Sequence, residues 1–284
     1  MSELLINDLS AKSQWLRNEV FEMSVRAGQG HLASALSQID IVISLYYGGL
    51  LRFTKGDPKA ADRDRVIVSK GHATMSLYPV LADLGYFPKE ELDRYGKPEG
   101  LLRIFGNTSI PGIEATSGSL GHGPGIACGM CMAAKKNGED HRTFVILSEG
   151  EMYEGSVWES AIFAAHNELD NLVVVIDRNR KIILGDTEDM MKLEPVEDKW
   201  RAFGWETFVV DGHSHEELIS AFAEVGKRKG KPIAIIANTT KGKGISYMEG
   251  SHEWHYLVGN EEQIIQARAE LEYDAKNGSN NNVK

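Results

Sequence analysis

Only two cysteines, Cys128 and Cys131, occur in the 284 residues. That excludes a disulfide framework and a zinc site built from cysteines alone. They form C-x-x-C within GIACGMCMAA, a small-residue run on a helical pattern, where free cysteines serve as small buried hydrophobes. No apolar run reaches the roughly 18 residues of a membrane-spanning helix. The start, MSELLINDLSAKSQ, lacks the basic and apolar regions of an export signal, so a cytoplasmic protein without a membrane partner is expected. A basic surplus is missing too: 31 Lys and Arg against 41 Asp and Glu leave a net charge of −10, which argues against nucleic acid or an anionic membrane as partner. An anionic ligand would therefore need local cations, glycines or a metal. Two phosphate loops are absent as well. Lys241-Gly242-Lys243-Gly244 lacks the spacing of a Walker loop. Gly121-x-Gly123-x-Gly125 follows no strand directly and has no acidic residue ending a second strand, so it fails as a dinucleotide fingerprint.

What is present is an ordinary globular composition, 42% hydrophobic and 25% charged, with length enough for one large α/β domain. Residues 143–181 carry the clearest pattern: an apolar run, an acidic turn with a glycine, an Ala-rich amphipathic segment and a second apolar run. Such runs suit strands covered on both faces, and the spacing of Val157, Trp158, Ala161, Ile162, Ala165 and Leu169 suits a helix. The segment is a βαβ unit. Further helices are expected at 4–26, 89–95, 197–203, 216–229 and 261–276, with strands at 65–69, 204–210 and 232–238. The fold expected is α/β, three-layered, with a mostly parallel sheet and helices on both faces. One domain would span 1–276, followed by a disordered tail at 277–284.

A right-handed crossover brings the ends of both strands of the unit to one edge of the sheet, where ligands of open α/β sheets sit. Glu149 and Asn179 would converge there as oxygen donors, beside Gly150, which lets backbone approach a phosphate. Carboxylate, amide oxygen and phosphate together suit Mg²⁺.

The acidic residue before a glycine, then E-x-x-E-G-x-x-W-E, L-D-N-L and D-x-N, resembles the thiamine diphosphate motif of transketolases. The resemblance implies that Glu149, Asn179 and the carbonyl of Lys181 hold Mg²⁺, or another divalent cation such as Ca²⁺ or Mn²⁺. The family usually has Gly-Asp-Gly where this chain has Ser148-Glu149-Gly150; the carboxylate is thus extended by about 1.5 Å. Four more segments follow in the family's order. Gly30-His31 matches a histidine facing cofactor and substrate, although Leu32 replaces the usual proline. Ser69-Lys70-Gly71-His72-Ala73 matches S-x-G-H-A, whose histidine lies by the diphosphate. Residues 111–123 match P-G-[VI]-E-x-[ST]-[ST]-G-x-L-G-x-G, which implies that Gly118 approaches the cofactor and Leu120 packs on its thiazolium side. Residues 239–255 end in Trp254-His255, which implies a diphosphate contact and proton transfer for His255. Where the family has G-H-P, with a histidine on the donor's first hydroxyl, this chain has Gly106-Asn107-Thr108 at a shortened spacing. A neutral amide at Asn107 implies altered donor recognition.

The family resemblance implies a thiamine diphosphate-dependent transfer of a two-carbon ketol unit from a ketose to an aldose, with His31, His72 and His255 on the reacting side and Glu154 at a subunit interface coupling two sites. With no residues left over for a pyrimidine-binding domain, a separate C-terminal transketolase subunit is the expected partner, in an α2β2 heterotetramer. The alternatives are the α subunit of a 2-oxo acid dehydrogenase or decarboxylase, which lacks these histidines, and a degenerate assembly subunit that no longer holds metal.

Overall fold

The computed structural model describes residues 3–227 and 230–271. The expected tail at 277–284, and the expected helix beyond 271, lie outside them. In chain order the elements are α1 (Glu3–Ala27), α2 (Leu32–Ser37), α3 (Ile39–Tyr47), β1 (Arg65–Val68), α4 (Tyr78–Asp83), α5 (Gly123–Asn137), β2 (Thr143–Ser148), α6 (Gly155–His166) and β3 (Leu172–Arg178), then α7 (Thr187–Met190), α8 (Val196–Ala202), β4 (Glu206–Asp211), α9 (His215–Glu224), β5 (Ile233–Asn238) and α10 (Glu261–Glu270).

The five strands form one sheet in the order β1-β2-β3-β5-β4, every pair parallel. Their apolar residues divide between two cores with the period of a strand. Phe144, Ile146, Val173, Val175, Ile233 and Ile235 join Val20, Leu36, Ile43 and Phe222 on one face. Val145, Leu147, Val174, Ile176, Ala234 and Ile236 join Ala127, Cys131, Val157, Ala161 and Trp200 on the other. This is why β2 and β3 are continuous apolar runs: both faces are covered. Both cysteines are buried and free, as their small-residue surroundings imply.

The same alternation orients the residues just beyond the strands. Ser148 pairs in register with Asp177, so the next residues along, Glu149 and Arg178, share the face of Val145 and Leu147, while Asp177 points with Val173 and Val175 to the opposite face. Helix starts and stops obey local chemistry. α5 has Pro124 in its first turn and ends at Gly138, whose left-handed φ of 71° suits glycine. α10 begins in a reciprocal capping box between Asn260 and Gln263. The helix expected over 216–229 stops at Glu224 and tightens to a 3-10 turn at Val225–Lys227. Residues 32–47, in which the sequence shows only an apolar segment, form two helices, and every side chain of α2 is buried.

Candidate active site

The ends of β1, β2, β3 and β5 deliver polar residues to one edge of the sheet. Lys70, Gly71 and His72 follow β1, Glu149 follows β2, Asp177 and Arg178 close β3 with Asn179 next, and Thr239, Thr240 and Lys241 follow β5. Gly71 is required by close approach: a Cβ there would stand 2.4 Å from Ser117 Oγ and 2.7 Å from the Gly118 nitrogen. The loop at 117–121 is thereby seated beside His72. Its other side is held by buried Glu151, which accepts from the Ser69 hydroxyl and from the Gly121 N–H at 2.8 Å.

Three histidines from distant segments meet here. The ring of His31 lies 5.0 Å from that of His72 and 5.2 Å from that of His255, and His72 lies 5.5 Å from His255. Burial, followed by the charge of Lys241, pulls both His31 and His255 down to about 4. Burial and then Lys70 push His72 well below the ordinary histidine range. All three are neutral near pH 7, so each ring has one nitrogen that donates and one that accepts. Nδ1 of His31 is buried without a partner. Two aromatic side chains flank the group: Tyr256, its ring 4.6 Å from His31, and Phe105, 6.0 Å from His31 and 42% exposed.

Two buried lysines lie beneath the histidines. Lys70 pairs with Asp177, which also accepts from the hydroxyls of Ser37 and Thr239. Lys241 is only 1% exposed, and among the described residues no carboxylate pairs with it. Its ammonium approaches His255 Nδ1 at 3.2 Å, and burial followed by the charge of Lys70 draws it down to about 8. A buried, unpaired ammonium is costly unless an anion compensates it.

On the opposite face of β3, Glu149 is 0% exposed and its Oε2 accepts from Arg178, while Oε1 is buried with no partner. Burial raises this carboxyl to about 7 in spite of Arg178. Asn179 accepts the Lys181 N–H at 3.1 Å through its side-chain oxygen. The intervening Arg180 has a left-handed φ of 63°, which turns the chain back over the strand end. Gly150 abuts Ile182, whose Cγ2 would be 2.9 Å from a Cβ there. The edge therefore presents an unpaired buried cation beside neutral imidazoles, and next to it a buried carboxylate oxygen without a donor.

A family model, transketolase, thiamine diphosphate binding domain, matches residues 12–280. The chain belongs to the transketolase family. Among relatives, it is 38% identical to a subunit of the apulose-4-phosphate transketolase of Phocaeicola vulgatus, over 94% of this chain and 94% of that protein. It is 39% identical to a 6-deoxy-6-sulfo-D-fructose transketolase subunit of a Clostridium species, over 96% of this chain and 98% of that protein. Its fold matches the crystal structure of transketolase from Campylobacter jejuni with a TM-score of 0.89 and 31% identity, covering 96% of this chain and 44% of that one. The chain thus spans less than half of that solved transketolase, but nearly the whole of the two subunits.

Set against the transketolase motifs, the structure brings His31, His72 and His255 together and sets Glu149 and Asn179 at neighbouring strand ends. Gly118 borders the same space: a Cβ there would lie 3.6 Å from the Phe105 ring. Leu120 sits half-buried in the loop pinned by Glu151. Glu154 is exposed just before α6, its side chain beside Gly121 at the end of that loop. Asn107 is occupied by its own turn, accepting the Ser109 N–H at 2.9 Å, and it lines a cleft with Arg103, Phe105 and Thr116. Sequence motifs alone assign no role to Lys70, Lys241, Asp177, Arg178 or Glu151, although each lies within or beside a segment that carries the resemblance. The signal available is position, namely charged residues at the carboxyl ends of apolar runs.

The residues fit thiamine diphosphate with a cation. Among the described residues no carboxylate pairs with buried Lys241 and no donor reaches Glu149 Oε1. Among the described residues no three His, Cys, Asp or Glu side chains gather as a metal site. A cation at Glu149 would therefore need Asn179, a backbone carbonyl and the diphosphate oxygens to complete its shell.

Proposed function

We propose that this chain is the diphosphate-binding subunit of a two-chain transketolase, which moves a two-carbon ketol unit from a ketose, phosphorylated or otherwise acidic, to an aldose. The observation that carries this reading is the buried ammonium of Lys241 lying against His255, one of three clustered neutral histidines at the carboxyl edge of the sheet. Glu149, Asn179 and the Lys181 carbonyl would hold the divalent cation, and Lys241 with His72 and His255 would hold the diphosphate. Thiamine diphosphate, when bound, supplies the electron sink for carbon–carbon cleavage. His31, His72 and His255 exchange protons with substrate hydroxyls, which their neutral state permits without prior deprotonation. The three rings are part-buried and packed on one another, which leaves their dipoles little to reorganise.

A second subunit would complete the site from outside. Ile162 and Phe163 on α6, Ile126 on α5, and Ile183, Leu184, Met190 and Met191 after β3 are exposed apolar residues. Glu154, exposed immediately before α6, would contribute to the same contact. We assign this face to a pyrimidine-binding partner in a cytoplasmic α2β2 assembly. The names of the relatives, both given as subunits, support a separate partner.

The test is calorimetric titration of the chain, mixed with its partner subunit, with thiamine diphosphate in the presence of Mg²⁺, Ca²⁺ or Mn²⁺. Saturable binding that depends on the cation, together with aldose formation from a ketose donor, is expected. Absence of binding with every cation would make the chain a degenerate assembly subunit.

A further inference from the structure

The longer carboxylate at 149 raises the question of how it is accommodated, and the other end of its contact answers it. Glu149 and Arg178 lie on the same face at the ends of adjacent strands, because Ser148 and Asp177 are paired in register just before them. Arg178 is 1% exposed. One nitrogen of its guanidinium reaches Glu149 Oε2 and the Thr187 hydroxyl, the latter at 3.2 Å. The other reaches Glu194 at 2.7 Å and Glu188 at 3.4 Å. Glu188 in turn accepts the Leu193 N–H at 3.1 Å, and Glu194 accepts the Val196 N–H at 3.0 Å. Both terminal nitrogens of the guanidinium are therefore engaged within this network, which holds the fork from both ends.

The consequence falls on Glu149. A carboxylate has two oxygens, and Arg178 claims only one of them. Oε1 is buried and has no donor, which is an unfavourable state for a carboxylate oxygen unless a cation or donor satisfies it. We propose that Arg178 is the positioning residue of this metal site: it clamps Oε2, drawing the extended side chain to one side, so that Glu149 offers a single oxygen, Oε1, to the divalent cation. The inference rests on the functional reading proposed for this site. Partners of ligating groups outside the coordination sphere generally orient them, and their loss weakens metal binding by about 10- to 100-fold.

The experiment is Mn²⁺ binding to the full-length chain with its partner subunit, followed by electron paramagnetic resonance with thiamine diphosphate present. Arg178→Met should weaken Mn²⁺ binding by about 10- to 100-fold, and Arg178→Lys, which keeps the charge and one donor, should recover part of it. Adding Glu149→Asp should improve Mn²⁺ binding more in the Arg178→Met background than in the wild-type background, because the shorter carboxylate no longer needs to be drawn aside; such non-additivity across the four proteins reports direct coupling. Since Arg178→Met leaves a buried carboxylate unpaired and could unfold the chain, Glu194→Gln is the second probe. It removes the negative charge of one anchor on the half-exposed side of the guanidinium, leaving at most a neutral acceptor there, while Glu149 keeps its partner, and a smaller loss of Mn²⁺ affinity is expected. Unchanged or tighter Mn²⁺ binding by folded Arg178→Met and Glu194→Gln would overturn the positioning role and leave the functional reading standing. A wild-type chain that binds neither Mn²⁺ nor thiamine diphosphate would remove both.

Discussion

Lys241 and His255 meet at the carboxyl edge of the sheet, the ammonium nitrogen 3.2 Å from Nδ1 of the ring. The contact requires Nδ1 to accept, so the proton of the neutral imidazole sits on Nε2. The ring can then donate from Nε2 while the ammonium keeps further donors for an anion.

The first prediction concerns that anion. Lys241 is drawn down to about 8 by burial and by Lys70, so in the free protein the ammonium is lost as pH rises past that value. A bound diphosphate favours the charged form, and binding above about pH 8 must therefore take up a proton. Wild-type affinity for thiamine diphosphate should fall as pH rises through this range. Lys241→Met should bind about 10- to 100-fold more weakly, as loss of a charged hydrogen bond implies, and with a flatter pH profile. A variant that matches wild type in both respects would show that Lys241 does not contact the diphosphate.

The histidine cluster gives a second prediction, on stability. His31 and His255 titrate near 4 in the fold, against about 6.5 in an unfolded chain. Between those values the unfolded chain binds more protons than the native one, so stability rises with pH across the window. Their contribution is present in full above about 6.5 and is lost progressively as pH falls towards 4. Thermal midpoints of the cofactor-free chain should drop over this interval. The double variant His31→Gln, His255→Gln should show a shallower drop, and equal slopes would contradict the burial assigned to these rings.

Much of this site is legible in the sequence because its parts are local. A strand that ends in Lys70-Gly71-His72, or in Ser148-Glu149-Gly150, announces an edge, and the period of apolar residues announces the sheet behind it. What is not legible is pairing across the chain. Asp177 and Lys70 are 107 positions apart and both fully buried; nothing within either segment distinguishes them from surface charges. His213 has the sequence surroundings of an ordinary turn residue, yet its Nδ1 lies 2.7 Å from buried Asp40 and its Nε2 accepts the Thr240 N–H at 2.8 Å. It thus braces the residue preceding Lys241. Asn107 stands near the position of a donor-binding histidine in the motif; its Oδ1 accepts the Ser109 N–H in a local Asx turn, and the residue lines the same cleft as Phe105.

Phe105 supplies a third prediction. It is a large exposed apolar side chain bordering His31 and Gly118, where it neither fills the core nor reaches the buried lysines. Its position suits a wall for the carbon-bound hydrogens of a sugar. Phe105→Ala should raise KM for the ketose donor by about 10-fold, in line with loss of one apolar contact surface, with little change in thiamine diphosphate affinity. Steady-state kinetics of the assembled enzyme, with calorimetry of the cofactor, separate the two quantities. A fall in cofactor affinity equal to the rise in KM would place Phe105 against the cofactor instead.

The fourth prediction concerns assembly. Ile162 is 54% exposed and Phe163 44% exposed on α6, and Leu184 is 72% exposed on the segment after β3. Stable interfaces bury about 1,200–2,000 Å² in total, so the proposed partner would have to cover these positions together rather than one at a time. A charge at the middle of such a face meets apolar partner surface and has no compensating group there. Ile162→Glu should therefore abolish co-sedimentation, at micromolar concentration, with the pyrimidine-binding subunit. The isolated chain should keep its stability within about 0.5 kcal/mol, because the side chain is already solvated before assembly. Ketol transfer should be lost in proportion to the unassembled fraction and restored by excess partner. If Ile162→Glu co-sediments as wild type does, the partner docks on another face, and the exposed apolar residues of α6 have a different role.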